Sequence, residues 1–449
     1  MATTTGSSPR RHGVGLCLSG GGYRAALFHL GALRRLDELG VLSQVRTISA
    51  VSGGAIIANL LADPRLVWPE PPAETSELPA ETSELPGETA ELSGGTAVPT
   101  TAGEAHDPDG AGSAHQPRLQ DGRVQGFEEL VAAPLAELTQ RNIRTPALLT
   151  RLLPWRWPMP DGATRALADQ FADAVPWWST PLRDIGIGGP TVVTGATEIA
   201  YGVDWIFAGP SAEHPHGRVG DYRVGYAAPP PEIRVADTIA ASCAFPPYFE
   251  PMAFDGNVLR LTGGHHGPED EQARAGIRES LRLTDGGVYD NLALEPVWKN
   301  HATVLVSDGG EVFRAHTQRT VFGRLLRIMA VSSSGGTSVR LRWLHASFAR
   351  AALAGVTWSL DTHVRQSYPQ ATLEVVNAIR TDLDAFSRVE RHVLERHGYL
   401  VADAAIHRHQ PELVRIEAPL VAPHPDVADP ALVERALRTS AARTLLGHW

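Results

Sequence analysis

The stretch from Val14 to Ala62 constrains the fold of this chain more than any other. Val14 to Leu18 reads as a buried strand. After Ser19-Gly20-Gly21-Gly22, Leu27, Leu30, Leu33 and Leu36 recur at helical spacing until Gly40 supplies a stop. Val45 to Val51 reads as a second strand, and Ala55 to Ala62 as an apolar helix directly behind it. Strand, helix, strand, helix within about fifty residues is the pattern of a parallel sheet with right-handed crossovers and helices on its faces. Pro190 to Thr197, Asp204 to Ala208 and Ala302 to Ser307 are further strand candidates, and Ala236 to Ala244 reads as helix. From Thr320 onward the pattern is mainly helical, with an amphipathic helix expected from Thr381 to His397 and ended by Gly398. The expected fold class is α/β, a mainly parallel sheet flanked by helices, with a helical C-terminal region.

Between the early unit and the later strands the composition changes. Pro72-Ala-Glu-Thr-Ser-Glu-Leu78 repeats at Pro79 to Leu85 and, altered, at Pro86 to Leu92. A Pro in every copy and one Leu per heptad argue against a coiled coil, and seven residues are too few for a solenoid unit. The segment 69–123 is expected to be a disordered acidic insertion, serving as a linker or as a partner-binding segment. It holds eleven Asp/Glu against two Arg, so nearly all of the net charge of −10 sits there. The rest of the chain is close to neutral, which gives no support to nucleic-acid binding. No run of eighteen apolar residues is present, and Met1 to Gly13 lacks a signal-like apolar stretch. The two cysteines, Cys17 and Cys243, form no disulfide framework and no metal-ligand cluster, and a reducing cytoplasm is the expected compartment.

Three elements carry chemistry. Ser49-Ala50-Val51-Ser52-Gly53-Gly54 lies between a strand and a helix, where a tight elbow holds a serine clear of its neighbours at the positive end of a helix. Ala50 stands where Gly-x-Ser-x-Gly has its first glycine, so the elbow is expected to depart from the usual turn. Ser19 to Arg24 is a second strand-to-helix loop, whose glycine N–H groups suit a phosphate or a developing oxyanion. Gly21 and Gly22 stand where a P-loop needs Lys and Ser/Thr, and Gly13-Val-Gly15 opens a strand rather than a helix, so nucleotide binding is disfavoured. Arg24 can brace the loop or meet an anionic head group. The third element is Asp285-Gly286-Gly287, a turn that lets a carboxylate approach a hydroxyl; Asp308-Gly309-Gly310 repeats it, and spacing does not choose between the two. None of the eighteen histidines stands in a motif completing a Ser-His-Asp triad, and no metal-ligand set is evident.

Gly-Gly-Gly-x-Arg, a serine elbow some thirty residues later and a distant Asp-Gly-Gly together resemble the patatin-like phospholipase family, whose members use a Ser–Asp dyad. Val192 to Ala208 and Ala240-Ala-Ser-Cys-Ala-Phe-Pro246 add to the likeness. The resemblance implies a three-layer α/β/α catalytic domain over 11–318, interrupted by 69–123, with 319–449 packed on it as a mainly helical region. It further implies Ser52 as nucleophile and Asp285 as base, because Asp285 is followed by Gly-Gly-Val-Tyr-Asp-Asn. Gly20, Gly21, Gly22 and Gly53 then form the oxyanion hole, with Arg24 at the substrate and no cofactor or metal. Asn291-Leu292 departs from the family's Asn-Asn-Pro.

The implied reaction is hydrolysis of carboxylic esters of phospholipids or other lipids; the alternative is an inactive lipid-binding or scaffold protein that keeps the fold. For peripheral membrane contact there are two candidate surfaces. Trp155, Trp157, Met159, Trp177 and Trp178 make up either an interfacial patch or a satellite core, and Val321 to Arg350 carries five arginines and no acid, facing either lipid or solvent.

Overall fold

The computed structural model describes residues 11–69, 122–153, 159–186, 188–212, 214–265, 271–313, 320–438 and 440. The repeat-bearing segment, from 70 to 121, lies outside the described residues, as do Trp155 and Trp157. Among the described residues, one sheet is built from β1 (Val14–Leu18), β2 (Val45–Val51), β3 (Thr191–Glu198), β4 (Val203–Ala208), β5 (Arg218–Asp221), β6 (Gly225–Ala227), β7 (Met252–Phe254), β8 (Leu281–Asp285), β9 (Thr303–Asp308) and β10 (Ala354–Ser359). Its order is β10-β9-β1-β2-β3-β4-β5-β6, with β8 docked on β3 and β7 on β8. The strands from β10 to β3 are parallel; the remaining pairings are antiparallel.

Alternation along the strands divides the interior into two layers. Leu16, Leu18, Ile48, Ala50 and Leu305 face one core, while Cys17, Val304 and Val306 face the other. The larger core is closed by α1 (Gly22–Glu38), α2 (Gly53–Leu60), α3 (Val235–Ser242) and the C-terminal helix described below. The smaller is closed by the last turns of α4 (Val321–Ala349), where Leu344 is buried and Leu341, Trp343 and Phe348 pack beside it. Helices on both faces of a mainly parallel sheet make a three-layer α/β/α architecture. No helix of the described residues is long and apolar enough to cross a membrane.

Two features of the C-terminal region differ from the sequence reading. Its helix α5 spans Arg388–His409 rather than Thr381 to His397. It starts at a capping box, in which the Ser387 hydroxyl accepts from the Glu390 N–H and the Glu390 carboxylate accepts from the Ser387 N–H at 2.7 Å. Gly398 does not end it. A Cβ on Gly398 would fall 1.9 Å from the Phe28 carbonyl oxygen, and one on Gly31 of α1 would fall 1.8 Å from that of Glu395. These glycines are small so that two helix backbones can touch. The second difference is β10, which lies inside the mainly helical tail and extends the parallel sheet beyond β9, burying Val356 and Trp358.

The α1–α5 contact admits no side chain at either glycine. Gly31→Ala and Gly398→Ala are each expected to lower unfolding free energy by about 3 kcal/mol in urea titrations. Gly276→Ala, on the helix Glu271–Glu279 with nothing within 4 Å of the added carbon, is expected to be neutral or stabilising.

Candidate active site

The parallel strands end at a common edge, and two of them stop against the same neighbour. β2 runs along β3 until Val51 opposes Gly195, and β8 runs in from the opposite direction until Asp285 opposes Ala196. Because β4 occupies the other side of β3 over Val193 to Glu198, β2 and β8 share one edge and meet head to head. The residue after β2 is Ser52 and the last residue of β8 is Asp285. Sheet pairing therefore brings together two side chains that are far apart in sequence.

Ser52 caps α2 in a left-handed conformation, φ 49° and ψ −118°. A non-glycine residue held there stores roughly 1–3 kcal/mol of strain, sustained only by surrounding contacts. Its N–H donates to Ser242 Oγ at 2.8 Å, and Ser242 Oγ donates to the Gly195 carbonyl at 2.6 Å. Ala50 is ordinary buried strand, paired with Leu18 and Thr194. The positive φ of this elbow falls on the serine itself, so the methyl group of Ala50 meets no conformational obstacle. Crowding falls instead on Gly53 and Gly54. A Cβ on Gly53 would lie 2.1 Å from the Gly22 carbonyl oxygen, and one on Gly54 would lie 2.3 Å from that of Leu18.

That crowding presses the elbow against the glycine loop between β1 and α1. Gly21 (φ 141°) and Gly22 (φ 58°) adopt backbone that other residues rarely reach. Among the described residues, nothing accepts a hydrogen bond from the N–H groups of Gly21, Gly22 or Gly53. Gly20 is engaged elsewhere, its N–H donating to the Asn291 carbonyl at 3.1 Å. The Asn291 side chain fills the space between Gly20, Gly287 and Gly310, where a Cβ on each glycine would meet it within 2.8 Å. Arg24 is buried, and donates to the carbonyls of Ile379 at 2.9 Å and Gly309 at 3.3 Å. These bonds tie the start of α1 to the turn after β9 and to the C-terminal region.

Asp285 is buried at 3% exposure, and among the described residues no cation pairs with it. Burial pushes its pKa up to about 7, against the pull of the Gly287 N–H, which hydrogen-bonds Oδ1 at 2.8 Å, and of the nearby Ser52 hydroxyl, both of which favour the charged form. Its own peptide is held by the Ala244 carbonyl at 3.1 Å and by the Thr197 hydroxyl at 2.9 Å. The Cys243 thiol also lies beside the Ser52 hydroxyl; burial, and then the Asp285 charge, push it well above its usual pKa and keep it protonated. Asp308, in the repeated tripeptide, takes the Gly310 N–H at 2.9 Å instead, and lies near the Ser19 hydroxyl rather than that of Ser52. The geometry thus separates two aspartates that spacing left equivalent.

Several residues around the site have no signature of their own in the sequence. Ser242, Thr197 and Asn291 hold the elbow, the Asp285 turn and the glycine loop; each falls in a stretch that carries the family resemblance, but none has a local pattern that marks this role. His29 contacts the Ser307 hydroxyl at 2.8 Å and the Ser19 carbonyl at 3.0 Å; burial lowers its pKa to about 4. Among the described residues no histidine bonds Ser52 or Asp285. Trp178 is fully buried in the larger core, edge-on to Phe171, with Trp177 packed beside it, whereas Met159 is exposed. Of potential metal ligands, the described residues group His392, His424 and Asp426. The two imidazoles stack 3.8 Å apart at 12°, so their in-plane lone pairs do not converge on one ion.

The chain matches the family model described as Patatin-like phospholipase over residues 16–77 and 217–298. No curated protein matches it significantly. Among solved structures it is similar to VipD from Legionella pneumophila, at 12% identity and a TM-score of 0.33, covering 90% of this chain and 68% of that one. It is also similar to human GIVD cytosolic phospholipase A2, at 11% identity and a TM-score of 0.39, covering 97% of this chain and 63% of that one. Gly20 to Gly22, Ser52 and Asp285 all lie inside the segments that match the Patatin-like phospholipase model.

Proposed function

We propose that this protein is a serine acyl hydrolase that cleaves carboxylic esters of phospholipids or other lipids through an acyl-enzyme on Ser52, with Asp285 as general base. The observation that carries the reading is the placement of a buried carboxyl, with no cation to neutralise it among the described residues, beside the Ser52 hydroxyl. Near neutral pH such a carboxylate is a stronger base than an exposed one, and its single task is the serine proton. In the first step Asp285 accepts that proton as Ser52 Oγ attacks the ester carbonyl. The unsatisfied N–H groups of Gly21, Gly22 and Gly53 receive the developing oxyanion, helped by the positive ends of α1 and α2. Asp285 then returns the proton to the departing alcohol. A water, deprotonated by the same carboxylate, attacks the acyl-enzyme, and the proton goes back to Ser52 as the acid leaves. Gly20 and Arg24 serve as supports for the glycine loop, and neither contacts the substrate.

A fluorophosphonate probe is expected to label the wild type at Ser52 and to leave Ser52→Ala unlabelled, with Asp285→Asn losing about a thousandfold or more in ester hydrolysis. An unlabelled wild type that hydrolyses no ester, and whose two variants bind lipid as it does, would instead mark a lipid-binding protein that keeps the fold. Because Asp285 must be ionised to act, kcat/KM should rise with pH to a plateau, with an apparent pKa near 7.

The same carboxyl opposes folding. Its folded pKa of about 7 lies above the ordinary 3.8, so its contribution is neutral below about pH 4, falls as pH rises, and is a constant penalty above pH 7. Asp285→Asn is therefore expected to be more stable than wild type at pH 8, by at most about 4 kcal/mol, with the gain vanishing toward pH 4 in parallel thermal melts.

A further inference from the structure

Helix α4 has two different environments along its length. Its last turns are anchored in the smaller core through Leu344. Its earlier turns run toward the edge where the parallel strands end, and there Ser333 Oγ donates to the Gly287 carbonyl at 2.8 Å. The Gly287 N–H in turn holds Asp285, so α4 is one residue removed from the base. On the outer side of these turns Val321, Leu325, Ile328, Val331 and Val339 are all between 51 and 67% exposed. With 3.6 residues per turn they fall within an arc of about 120°. Phe313 is exposed near the start of the helix with the Arg327 guanidinium 3.7 Å from its ring centre. Arg324 and Arg342 are exposed within the same arc, and Val321 to Arg350 holds five arginines and no acid, although Arg340 pairs with Asp290 at 3.5 Å. Val288 and Phe245, each one residue from a backbone group tied to Asp285, are exposed as well.

We infer that the outer face of α4 is the surface by which this protein docks on an anionic lipid bilayer, bringing the mouth of the Ser52 site to the membrane. A helix lying in the interface needs apolar side chains to enter the acyl boundary and cations whose long stems reach back to the headgroups, and the exposed arc of α4 presents both. A second copy of the chain fits poorly, since symmetric pairing would set Arg324 and Arg342 against like charges. The acidic segment 69–123 matches the charge, but it has too few large apolar side chains to cover the stripe. Docking along α4 gives the site its substrate directly from the bilayer, and in this consequence the inference rests on the reading of Ser52 as an ester-attacking nucleophile.

The test is sedimentation of the full chain, carrying Ser52→Ala to prevent hydrolysis, with vesicles of phosphatidylcholine alone or containing phosphatidylglycerol. Binding is expected to the anionic vesicles and to weaken with added salt. Leu325→Asp with Ile328→Asp should reduce it by at least about tenfold, and Arg324→Gln with Arg342→Gln should reduce it by several-fold. In the Ser52-intact chain, Leu325→Asp with Ile328→Asp should leave hydrolysis of a short-chain soluble ester unchanged. Equal binding by this double variant, no binding by any form, or a wild-type dimer that the double variant dissociates would overturn the docking surface. Vesicle binding that depends on α4, in a protein that hydrolyses neither soluble nor vesicle ester, would uphold the docking surface and reject the catalytic reading.

Discussion

An aspartate carboxyl kept out of water with no cation beside it is costly in any fold, and here the Asp285 carboxyl is arranged to have two hydrogen-bond donors near it, the Gly287 N–H and the Ser52 hydroxyl. Each surrounding feature follows from that pairing. Thr197 and Ala244 hold the Asp285 peptide so that the side chain faces Ser52, and Ser242 holds the Ser52 N–H so that its hydroxyl faces back. The left-handed backbone of Ser52 is tolerated because Ser242 and the packing of Gly53 and Gly54 against β1 and its loop leave it no alternative. Strain and desolvation are concentrated at one point, as expected where a fold gives up stability for reactivity.

The sheet makes this possible through its ends rather than its middle. β1 and β2 stop side by side, so that the loops leading into α1 and α2 touch at Gly22 and Gly53. β8 arrives antiparallel on the edge that β2 vacates. Two helix N-termini, their spare N–H groups and one carboxyl thereby converge on a single hydroxyl. Ligands bind at such strand ends in open α/β sheets because the loops there are unconstrained by pairing. In this chain α4 reaches the same end with its apolar outer side uncovered among the described residues, which couples the proposed chemistry to the proposed membrane surface.

Much of this was legible in the sequence where the information is local. β1, β2 and the start of the glycine loop have the bounds their apolar runs indicate, because a buried parallel strand leaves little freedom in composition. Ser52 was legible because an elbow must follow a strand and precede a helix. Asp285 and Asp308 were indistinguishable by spacing because what separates them is the docking of β8 on β3, a pairing between segments about ninety residues apart. Gly398 reads as a helix end because a glycine required by helix contact and one required by a stop look the same in one sequence. Arg24 likewise has two readings in the sequence, because the carbonyls it meets, those of Gly309 and Ile379, are both distant from it along the chain. β10 escaped because its two buried residues alternate too briefly to stand out beside a long helix.

The measurement closest to the central claim is the titration of Asp285 itself, by carbon NMR of aspartate-labelled protein with Asp285→Asn identifying the signal. The account predicts a carboxyl that titrates near pH 7 in the wild type and still higher in Ser52→Ala, where one of its two donors is gone. A carboxyl that titrates in the ordinary range near 4, or one whose titration is unmoved by the loss of the Ser52 hydroxyl, would contradict it.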